Sequence, residues 1–450
     1  MNRFESRIGI FVVEPDDLKL ISQHDVLQAA LTDRLQAIWS RKFWGTPRDE
    51  TFLRRLDFFP SLSESIAVKK WSGGVGLQPY YPGISPGKPK PLEPWSLSDR
   101  FLSNDDDFPQ LVLQDRDLTT LEKGLENSVH QRLQIRASLT DLRRKPPDTV
   151  FKPPMVVFSK GFTKCAFYKG SNGEVRFLDG LRSITGEKRD VDLLRFLSAA
   201  ISSRLFKYIS FHSGSNLGVG RDQIHLYESL ALPFPLPDDE LASRHALELV
   251  RETANILEGL ERNIPDRKRL ESTIEAMKRC QPLVEQYFSV TDAEKILIED
   301  TITLFQPSVH KRDINADIPS LAFPTRVARQ AYADKLCDVL NQRARKQKIK
   351  VSAEARVSEN LNLVLLTAMF TEKQEAYTEV RGEDALWVAL NRISKAARKD
   401  DSMFSYLRGF KYFEPDRLHI LKPATMRNWC RTAALNDADA IFEHLVTENA

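Results

Sequence analysis

Apolar residues along the chain follow two spacings, which predict both strands and helices. Short apolar runs bounded by proline, glycine or polar turns are typical of strands. Three such runs follow one another, at Met155–Phe158, Cys165–Tyr168 and Val175–Leu178. After them, apolar side chains recur at three- and four-residue spacing from Leu193 to Tyr208, which predicts one helix capped by Asp190 or Asp192. A glycine-rich loop at 214–220 follows this helix.

The same spacings predict elements elsewhere in the chain. We expect a strand at Ile8–Val13, a helix at about Asp25–Trp39 and a long loop rich in glycine and proline at 71–110. Between residues 238 and 305, two helical stripes favour a pair of helices packed along a seam. The C-terminal elements expected are a helix at Arg329–Lys346, two strands within Ala355–Phe370, a helix at Ala385–Ala397, a hairpin at Phe410–Pro423 and a helix at Asp437–Val446.

This succession of elements predicts an α+β protein with several domains. A chain of 450 residues has room for two to four domains of ordinary size. The domains expected are an N-terminal mixed region with the long loop at 1–150, a small mixed β-sheet domain at 151–237, a helical hairpin at 238–310 and a C-terminal mixed α/β module at 311–450.

Composition narrows the class of protein. Apolar residues make up 42% of the chain and charged residues 28%, as in soluble globular proteins. The net charge of +3 is too small to demand a nucleic-acid partner, so any basic surface must be local. The four cysteines lie far apart, which suggests neither a zinc site nor a disulfide framework and favours the cytoplasm. No apolar run is long enough to span a membrane, and no membrane partner is expected.

Basic residues are in excess before and around the three predicted strands. The cations are Lys152, Lys160, Lys164, Lys169, Arg176, Arg182, Lys188 and Arg189, and the anions are Glu174, Asp179 and Glu187. Such an excess, with glycines that let backbone approach a ligand, is suited to neutralising phosphates. The alternative is the solvated face of an ordinary sheet, and the sequence leaves both interpretations open.

Motifs for catalysis are missing. The sequence has neither a G-x-S-x-G elbow nor an H-E-x-x-H motif, and the Gly73–Gly76 run lacks the Gly-Lys-Ser/Thr of a phosphate loop. His212 and His225 flank the glycine-rich loop and are either ligand contacts or ordinary core and surface residues. A nuclease-like set of carboxylates and a lysine has the wrong order and spacing; its members are Asp179, Glu187, Lys188 and Asp190. We therefore expect no catalytic residue, metal or cofactor.

Several segments together resemble a known family. They are Leu35–Leu56 with its Trp44-Gly45-Thr46-Pro47-Arg48-Asp49 core, Gly73–Pro79, the strand–helix–Gly-x-Gly-Arg–Leu-Pro-Phe-Pro-Leu-Pro pattern across 153–237, Gln286–Phe288 with Thr291–Asp300, and Leu418–Asp439. In these segments the chain resembles the region that follows the catalytic domain in gamma-class adenine-specific DNA methyltransferases, relatives of type I modification subunits and fused type II restriction–methylation enzymes. In that family the 153–237 pattern corresponds to the target recognition region.

The chain departs from this family at its catalytic motifs. The Asn/Asp-Pro-Pro-Tyr/Phe motif that holds a flipped adenine is missing, and the two Pro-Pro pairs lack the amide and the aromatic residue; they lie in Lys145–Asp148 and Lys152–Met155. The glycine motif for S-adenosylmethionine is also missing. Since a base-flipping enzyme needs a pocket that pairs and stacks the extruded base, we do not expect this chain to methylate DNA alone.

The resemblance and the basic excess together predict a non-catalytic DNA-recognition subunit. It would bind double-stranded DNA and act with a separate methyltransferase catalytic, ATPase or nuclease subunit in restriction–modification or phage defence. The residues predicted to contact DNA are Lys160, Lys164, Arg176, Arg182, Lys188 and Arg221. One alternative is a protein-interaction scaffold that has kept the fold without the DNA contacts, and a second is an unrecognised nuclease.

Overall fold

The computed structural model describes most of the chain. The described residues are 9–13, 27, 35–76, 78–79, 111–113, 142–144, 146–160, 165–170, 175–177, 179–216, 223–261, 266–309, 317–343, 349–373, 375–397, 404–408 and 410–448. The chain forms two compact units, a middle unit of residues 52–291 and a terminal unit of residues 1–51 and 292–450. Each unit takes in parts of more than one expected domain, and the finer four-part division stays a prediction.

Strands and helices occur in both units, which confirms the α+β class. The strands are β1 (Gly9–Val13), β2 (Ser72–Val75), β3 (Gln78–Pro79), β4 (Leu111–Leu113), β5 (Leu142–Arg144), β6 (Met155–Ser159), β7 (Cys165–Tyr168), β8 (Val175–Phe177), β9 (Leu181–Thr185), β10 (Lys350–Ser358), β11 (Leu363–Thr371), β12 (Thr378–Arg381), β13 (Phe404–Arg408), β14 (Lys411–Glu414) and β15 (Arg417–Pro423). The α-helices are α1 (Leu35–Trp44), α2 (Pro47–Leu56), α3 (Leu62–Lys69), α4 (Val191–Ser202), α5 (Arg204–Ser213), α6 (Leu226–Leu230), α7 (Ala246–Glu261), α8 (Asp266–Tyr287), α9 (Asp292–Asp300), α10 (Gln306–Val309), α11 (Arg326–Arg343), α12 (Glu383–Ala397) and α13 (Arg431–Glu448).

A four-stranded sheet forms the core of the middle unit. Its order is β2–β9–β6–β7, and each strand is antiparallel to its neighbours. All five residues of β6 are buried, because both faces of the sheet are covered. α4 packs against β6 and β7 on one face, where Arg195 lies over the ring of Phe167. On the other face Val150 and Phe151 join the alternate residues of β6 and β7.

A five-stranded sheet forms the core of the terminal unit. Its order is β12–β10–β11–β15–β14; β12 runs parallel to β10, and the other neighbours are antiparallel. α11 and α13 pack on one face against alternate residues of β10, β11 and β15. α12 covers part of the opposite face, where Leu386, Leu390 and Ile393 contact Leu365 and Leu421. Alternate residues of β10 face α11 and α13 because the pleat of a strand turns successive side chains to opposite faces.

Many predicted elements are confirmed. The expected N-terminal strand is β1, and the apolar runs after Pro154 give β6, β7 and β8. The expected helix pair is α7 and α8, the two strands of the C-terminal region are β10 and β11, and the hairpin is β14–β15. The C-terminal helices are also present with shifted ends, and α13 begins at Arg431 rather than at Asp437.

Two predictions of local structure are wrong. The single helix expected from Asp190 to Tyr208 is two helices, because Ser203 leaves the helical conformation and its hydroxyl accepts the backbone N–H of Phe206. The long loop expected from residue 71 begins instead with the edge strand β2, paired with β9. Gly74 leaves room for Val150 to pack against this strand, since a Cβ there would lie 2.6 Å from the Val150 side chain.

Some predictions fall on residues outside the described part of the chain. Most of the helix expected at 25–39 is among them, and its described end belongs to α1. Residues 80–110 of the long loop also lie outside the described part of the chain, as do residues 217–222 of the glycine-rich loop. Among the described residues, no helix has the length and apolar character needed to cross a membrane.

Candidate nucleic-acid interface

One end of the four-stranded sheet in the middle unit is bounded by four short loops. At this end Ser72, Thr185, Met155 and Tyr168 lie side by side on β2, β9, β6 and β7. The chain continues outward from these four residues. The resulting loops are residues 69–71, 186–190, 152–154 and 169–170, and we call them together the basic end.

The loops of the basic end carry exposed basic side chains. The exposed cations are Lys70, Lys152, Lys169, Lys188 and Arg189, and Lys69 is partly exposed. Within these four loops the acidic residues are Glu187, which pairs with Arg189 at 2.9 Å, and Asp190, which is buried. Adjacent strands lie about 4.8 Å apart, so four strands spread the cations over about 14 Å. That width is close to the roughly 12 Å of a DNA major groove.

Hydrogen bonds join three of these loops to one another. The indole Nε1 of Trp71 donates to Oδ2 of Asp190 at 2.9 Å, and the backbone N–H of Glu187 donates to the same oxygen at 3.3 Å. Gly186 donates its N–H to the carbonyl of Pro154 at 3.1 Å. A Cβ at Gly186 would lie 2.8 Å from the Trp71 indole nitrogen, so glycine is needed for this approach. The cations are therefore carried on an ordered backbone.

Gly170 lies in the fourth loop, which packs against the loop at 152–154. Its φ of +99° is a conformation that favours glycine, and a Cβ there would lie 2.6 Å from the ring of Pro153. Lys152 precedes Pro153 and Lys169 precedes Gly170, so this backbone contact brings two basic loops into one surface. Glycine therefore stands where the loops that carry Lys152 and Lys169 meet.

Two of the six predicted DNA contacts lie at opposite ends of the sheet. Lys188 lies at the basic end and is exposed. Lys160 follows β6 at the other end, where its side chain pairs with Asp179 at 3.4 Å. Its backbone N–H donates to Gly180 at 3.3 Å, and its carbonyl accepts the N–H of Ile224 at 2.9 Å. Lys160 thus lies where the segment after the glycine-rich loop meets the sheet.

Arg182 lies in the interior, in contrast to the surface position expected from its charge. The residue is 3% exposed, its Nη1 donates to the hydroxyl of Ser229 at 2.5 Å, and its Nη2 donates to the carbonyl of Ile224. Burial lowers the pKa of the guanidinium to about 10, and the nearby Glu228 carboxylate opposes this shift. The guanidinium is engaged within the protein, so we assign Arg182 a structural role and omit it from the interface.

The side chains of the remaining three predicted contacts lie outside the described residues. Arg176 lies on β8, where it is opposite Val112 of β4, but its side chain is outside the described residues. Lys164 and Arg221 are outside them altogether. These three residues stay predictions from the sequence.

The basic end includes cations that the prediction of site residues missed. They are Lys70, Lys152, Lys169 and Arg189. A signal for two of them was present in the sequence, because Lys152 precedes the first predicted strand and Lys169 follows the second. In a hairpin, these two positions lie at the same end. Lys70 carried no such signal, since the strand that follows it was not predicted.

The histidines beside the glycine-rich loop have structural contacts. His212 is 1% exposed and packs against the rings of Tyr208 and Phe211. His225 lies directly before α6, where its backbone N–H donates to the Glu228 carboxylate at 2.5 Å, and its ring stacks on Tyr227. Both histidines therefore have contacts within the protein.

The nuclease-like residues do not converge on one site. Asp179 pairs with Lys160 at one end of the sheet, whereas Asp190 bonds Trp71 at the other end. Among the described residues, no group of three or more histidines, cysteines and carboxylates could hold a metal ion. The geometry therefore gives the nuclease alternative no support.

Comparison with known proteins adds no relative. No protein-family model matches the chain, and a search of curated proteins finds no match.

Proposed function

We propose that the chain is a non-catalytic DNA-recognition subunit whose basic end binds the phosphate backbone of double-stranded DNA. One observation carries this proposal: exposed cations from four loops lie at a single end of one sheet, among them Lys152, Lys169 and Lys188. The subunit would act in the cytoplasm with a separate methyltransferase catalytic, ATPase or nuclease subunit, in restriction–modification or phage defence.

Phosphate binding is the chemistry that this surface suits best. Lysine and arginine side chains neutralise phosphates and release condensed counterions, which gives affinity for DNA of any sequence. The loops beneath the cations are fixed by the Trp71–Asp190 hydrogen bond and by the Gly170–Pro153 contact, so little backbone ordering is needed on binding. The small net charge of the whole chain is compatible with this, because the cations are concentrated locally.

Reading of DNA sequence has to come from other side chains. Contacts to phosphates set the position of a protein on the duplex, and contacts to base edges give specificity. Lys164 and Arg221, predicted from the sequence to contact DNA, stay candidates for that role. The resemblance of 153–237 to a target recognition region supports it, and the missing methyltransferase motifs support a separate catalytic subunit.

A salt series of duplex-DNA binding tests the proposal. We compare the wild type with Lys152→Ala/Lys169→Ala/Lys188→Ala, which removes three exposed cations from three loops of the basic end. Each lost phosphate contact flattens the slope of log K against log salt by about 0.9, so the triple variant is expected to lose between about two and three units of slope. Its affinity at low salt is expected to fall in parallel.

The matched control removes the same charge from another exposed surface of the middle unit. Arg244→Ala/Arg251→Ala/Lys278→Ala alters exposed positions on and before the helix pair α7–α8. Its salt slope is expected to stay close to that of the wild type. Equal effects of the two triple variants would contradict a local interface. A folded wild type that does not bind DNA at low salt, with or without its partner, would favour the scaffold alternative.

A further inference from the structure

A buried histidine lies under α12 in the terminal unit. His419 of β15 is 2% exposed and is on the sheet face that α12 covers. Its cross-strand neighbours are Thr367 on β11 and Tyr412 on β14, and the Tyr412 ring stacks on the imidazole with centroids 6.2 Å apart. The imidazole therefore sits in a row of polar side chains beside the apolar contacts of α12.

Both ring nitrogens of His419 have partners. Nδ1 lies 2.9 Å from the hydroxyl of Thr367, and Nε2 lies 3.1 Å from Nη2 of Arg392, which is on α12. A guanidinium only donates, so the contact with Arg392 is a hydrogen bond in the tautomer whose Nε2 accepts and carries no proton. The proton is then on Nδ1, and it is donated to the Thr367 hydroxyl. This arrangement requires the neutral imidazole.

The carboxylate of Glu414 also lies close to Nε2 of His419. Oε2 of Glu414, on β14, lies 3.3 Å from Nε2 of His419, and the other carboxylate oxygen lies 3.3 Å from Arg392. In the neutral state Arg392 therefore bridges His419 and Glu414, and so ties α12 to β15 and β14. If Nε2 gained a proton, its N–H would face the N–H of Arg392, while Glu414 would be the acceptor within reach.

Charged groups of every packed element act on this imidazole. β10 contributes Arg356, which pairs with Glu354 at 2.8 Å; α12 contributes Arg392; and β14 contributes Glu414. Burial lowers the pKa of His419, the Glu414 carboxylate raises it, and the two guanidinium groups lower it further. The net direction is downward, in agreement with the hydrogen-bond geometry that needs the neutral ring.

We propose that His419 is an acid-sensitive latch for α12: protonation of Nε2 transfers Glu414 from Arg392 to the imidazolium and releases Arg392 from the sheet. The proton comes from solvent, and no bond between heavy atoms changes. Leu386, Leu390 and Ile393 keep their apolar contacts with the sheet, so the unit stays folded. Loss of the hydrogen bonds of Arg392 lowers the free energy needed to open α12 locally.

Hydrogen exchange measures the latch on the whole chain. We compare amide protection in α12 at about pH 8 and about pH 5, corrected for intrinsic exchange, with α11 on the opposite face of the same sheet as reference. The protection of α12 is expected to fall about tenfold at the lower pH, as for loss of one charge-assisted hydrogen bond, while that of α11 changes less.

Three variants test whether His419 causes the pH dependence of amide protection in α12. His419→Gln is expected to abolish the pH dependence, and Arg392→Gln is expected to give low α12 protection at both pH values. His444→Gln is the control, because it removes another histidine of the terminal unit, on α13, and should leave the pH dependence intact. The latch is refuted if α12 protection in the wild type does not depend on pH, or if the dependence persists in His419→Gln. If His419→Gln does not fold, wild-type behaviour of Arg392→Gln refutes it equally.

Discussion

The indole Nε1 of Trp71 donates a hydrogen bond of 2.9 Å to Oδ2 of Asp190, and both residues are buried. Trp71 lies directly before β2, and Asp190 lies directly before α4. The bond therefore joins two loops of the basic end that are far apart in the sequence. The two loops also carry Lys70, Lys188 and Arg189. The same bond therefore fixes the loop backbone that carries these cations.

Removing the indole donor is expected to destabilise the middle unit. Trp71→Phe keeps an aromatic ring but leaves the buried Asp190 carboxylate with one donor fewer, and an unsatisfied buried group costs about 1–3 kcal/mol. Urea denaturation of the variant and the wild type measures the change in unfolding free energy. Asp190→Asn, which still offers an oxygen to the indole, serves as the milder control. A Trp71→Phe variant as stable as the wild type would show that the bond contributes nothing.

Arg182 and Lys188 are expected to respond in opposite ways to substitution. Arg182→Met leaves the carbonyl of Ile224 and the hydroxyl of Ser229 without their donor, so we expect a loss of at least about 2 kcal/mol of stability. Lys188→Ala alters an exposed side chain, so its stability should change by less than about 0.5 kcal/mol. DNA affinity under native conditions should fall for Lys188→Ala.

Both quantities are measured on both variants, by denaturation and by DNA titration at low salt. A stable Arg182→Met variant with weakened DNA binding would place Arg182 in the interface after all, and would overturn the structural role assigned to it.

Sequence patterns predicted the elements whose apolar side chains follow a regular spacing or form a bounded run. β6 and β7 were found because proline and glycine bound two apolar runs, and α7 and α8 because their apolar residues recur on one stripe. β2 was missed because Ser72-Gly73-Gly74-Val75 has almost no side chains to alternate. Its strand character comes from the pairing with β9, which is a tertiary effect.

The candidate site was harder to predict than the fold. Arg182 was assigned to the surface from its charge, but β9 is buried along its whole length and offers no solvent-exposed position. Lys160 and Lys188 are equally basic in the sequence, yet the register of the sheet places them at opposite ends. Charge can be read from the sequence, whereas the end of the sheet at which a charge lies depends on strand order.

The terminal unit is expected to lose stability in acid through Glu379. Arg329 donates two hydrogen bonds to this carboxylate, at 2.7 and 2.9 Å, and Arg381 and Tyr377 donate one each. Burial raises the pKa of Glu379, but the hydrogen bonds and charges of the arginines outweigh it and lower the pKa from 4.5 to about 2. A depressed folded-state pKa stabilises the fold above the unfolded pKa, and that contribution is lost as the pH falls through the folded value.

The window for this loss is therefore between pH 4.5 and about pH 2. Urea midpoints measured across the window should fall for the wild type and fall less for Glu379→Gln, whose amide does not titrate. Parallel curves for the two proteins would show that Glu379 does not report on acid stability.

Removal of the Asp437 carboxylate is expected to destabilise the terminal unit. It is 6% exposed on α13, and it accepts hydrogen bonds from Lys422 and from the hydroxyl of Tyr332, the latter at 2.6 Å, while Lys411 lies 3.2 Å away. Burial raises its pKa, but the two ammonium groups prevail and lower it. Asp437→Asn would leave the buried Lys422 ammonium without its counter-charge, which costs about 3–5 kcal/mol.

A double replacement separates the ion pair from simple packing. Replacing both partners with apolar residues, as in Lys422→Met/Asp437→Leu, removes the uncompensated charge, so this variant should be more stable than Asp437→Asn. Chemical denaturation of the wild type, Lys422→Met, Asp437→Leu and the double variant gives the coupling energy. If the double variant were the less stable of the two, the loss in Asp437→Asn could not be assigned to the charge left on Lys422, and the contacts of Asp437 with Tyr332 and Lys411 would have to account for it.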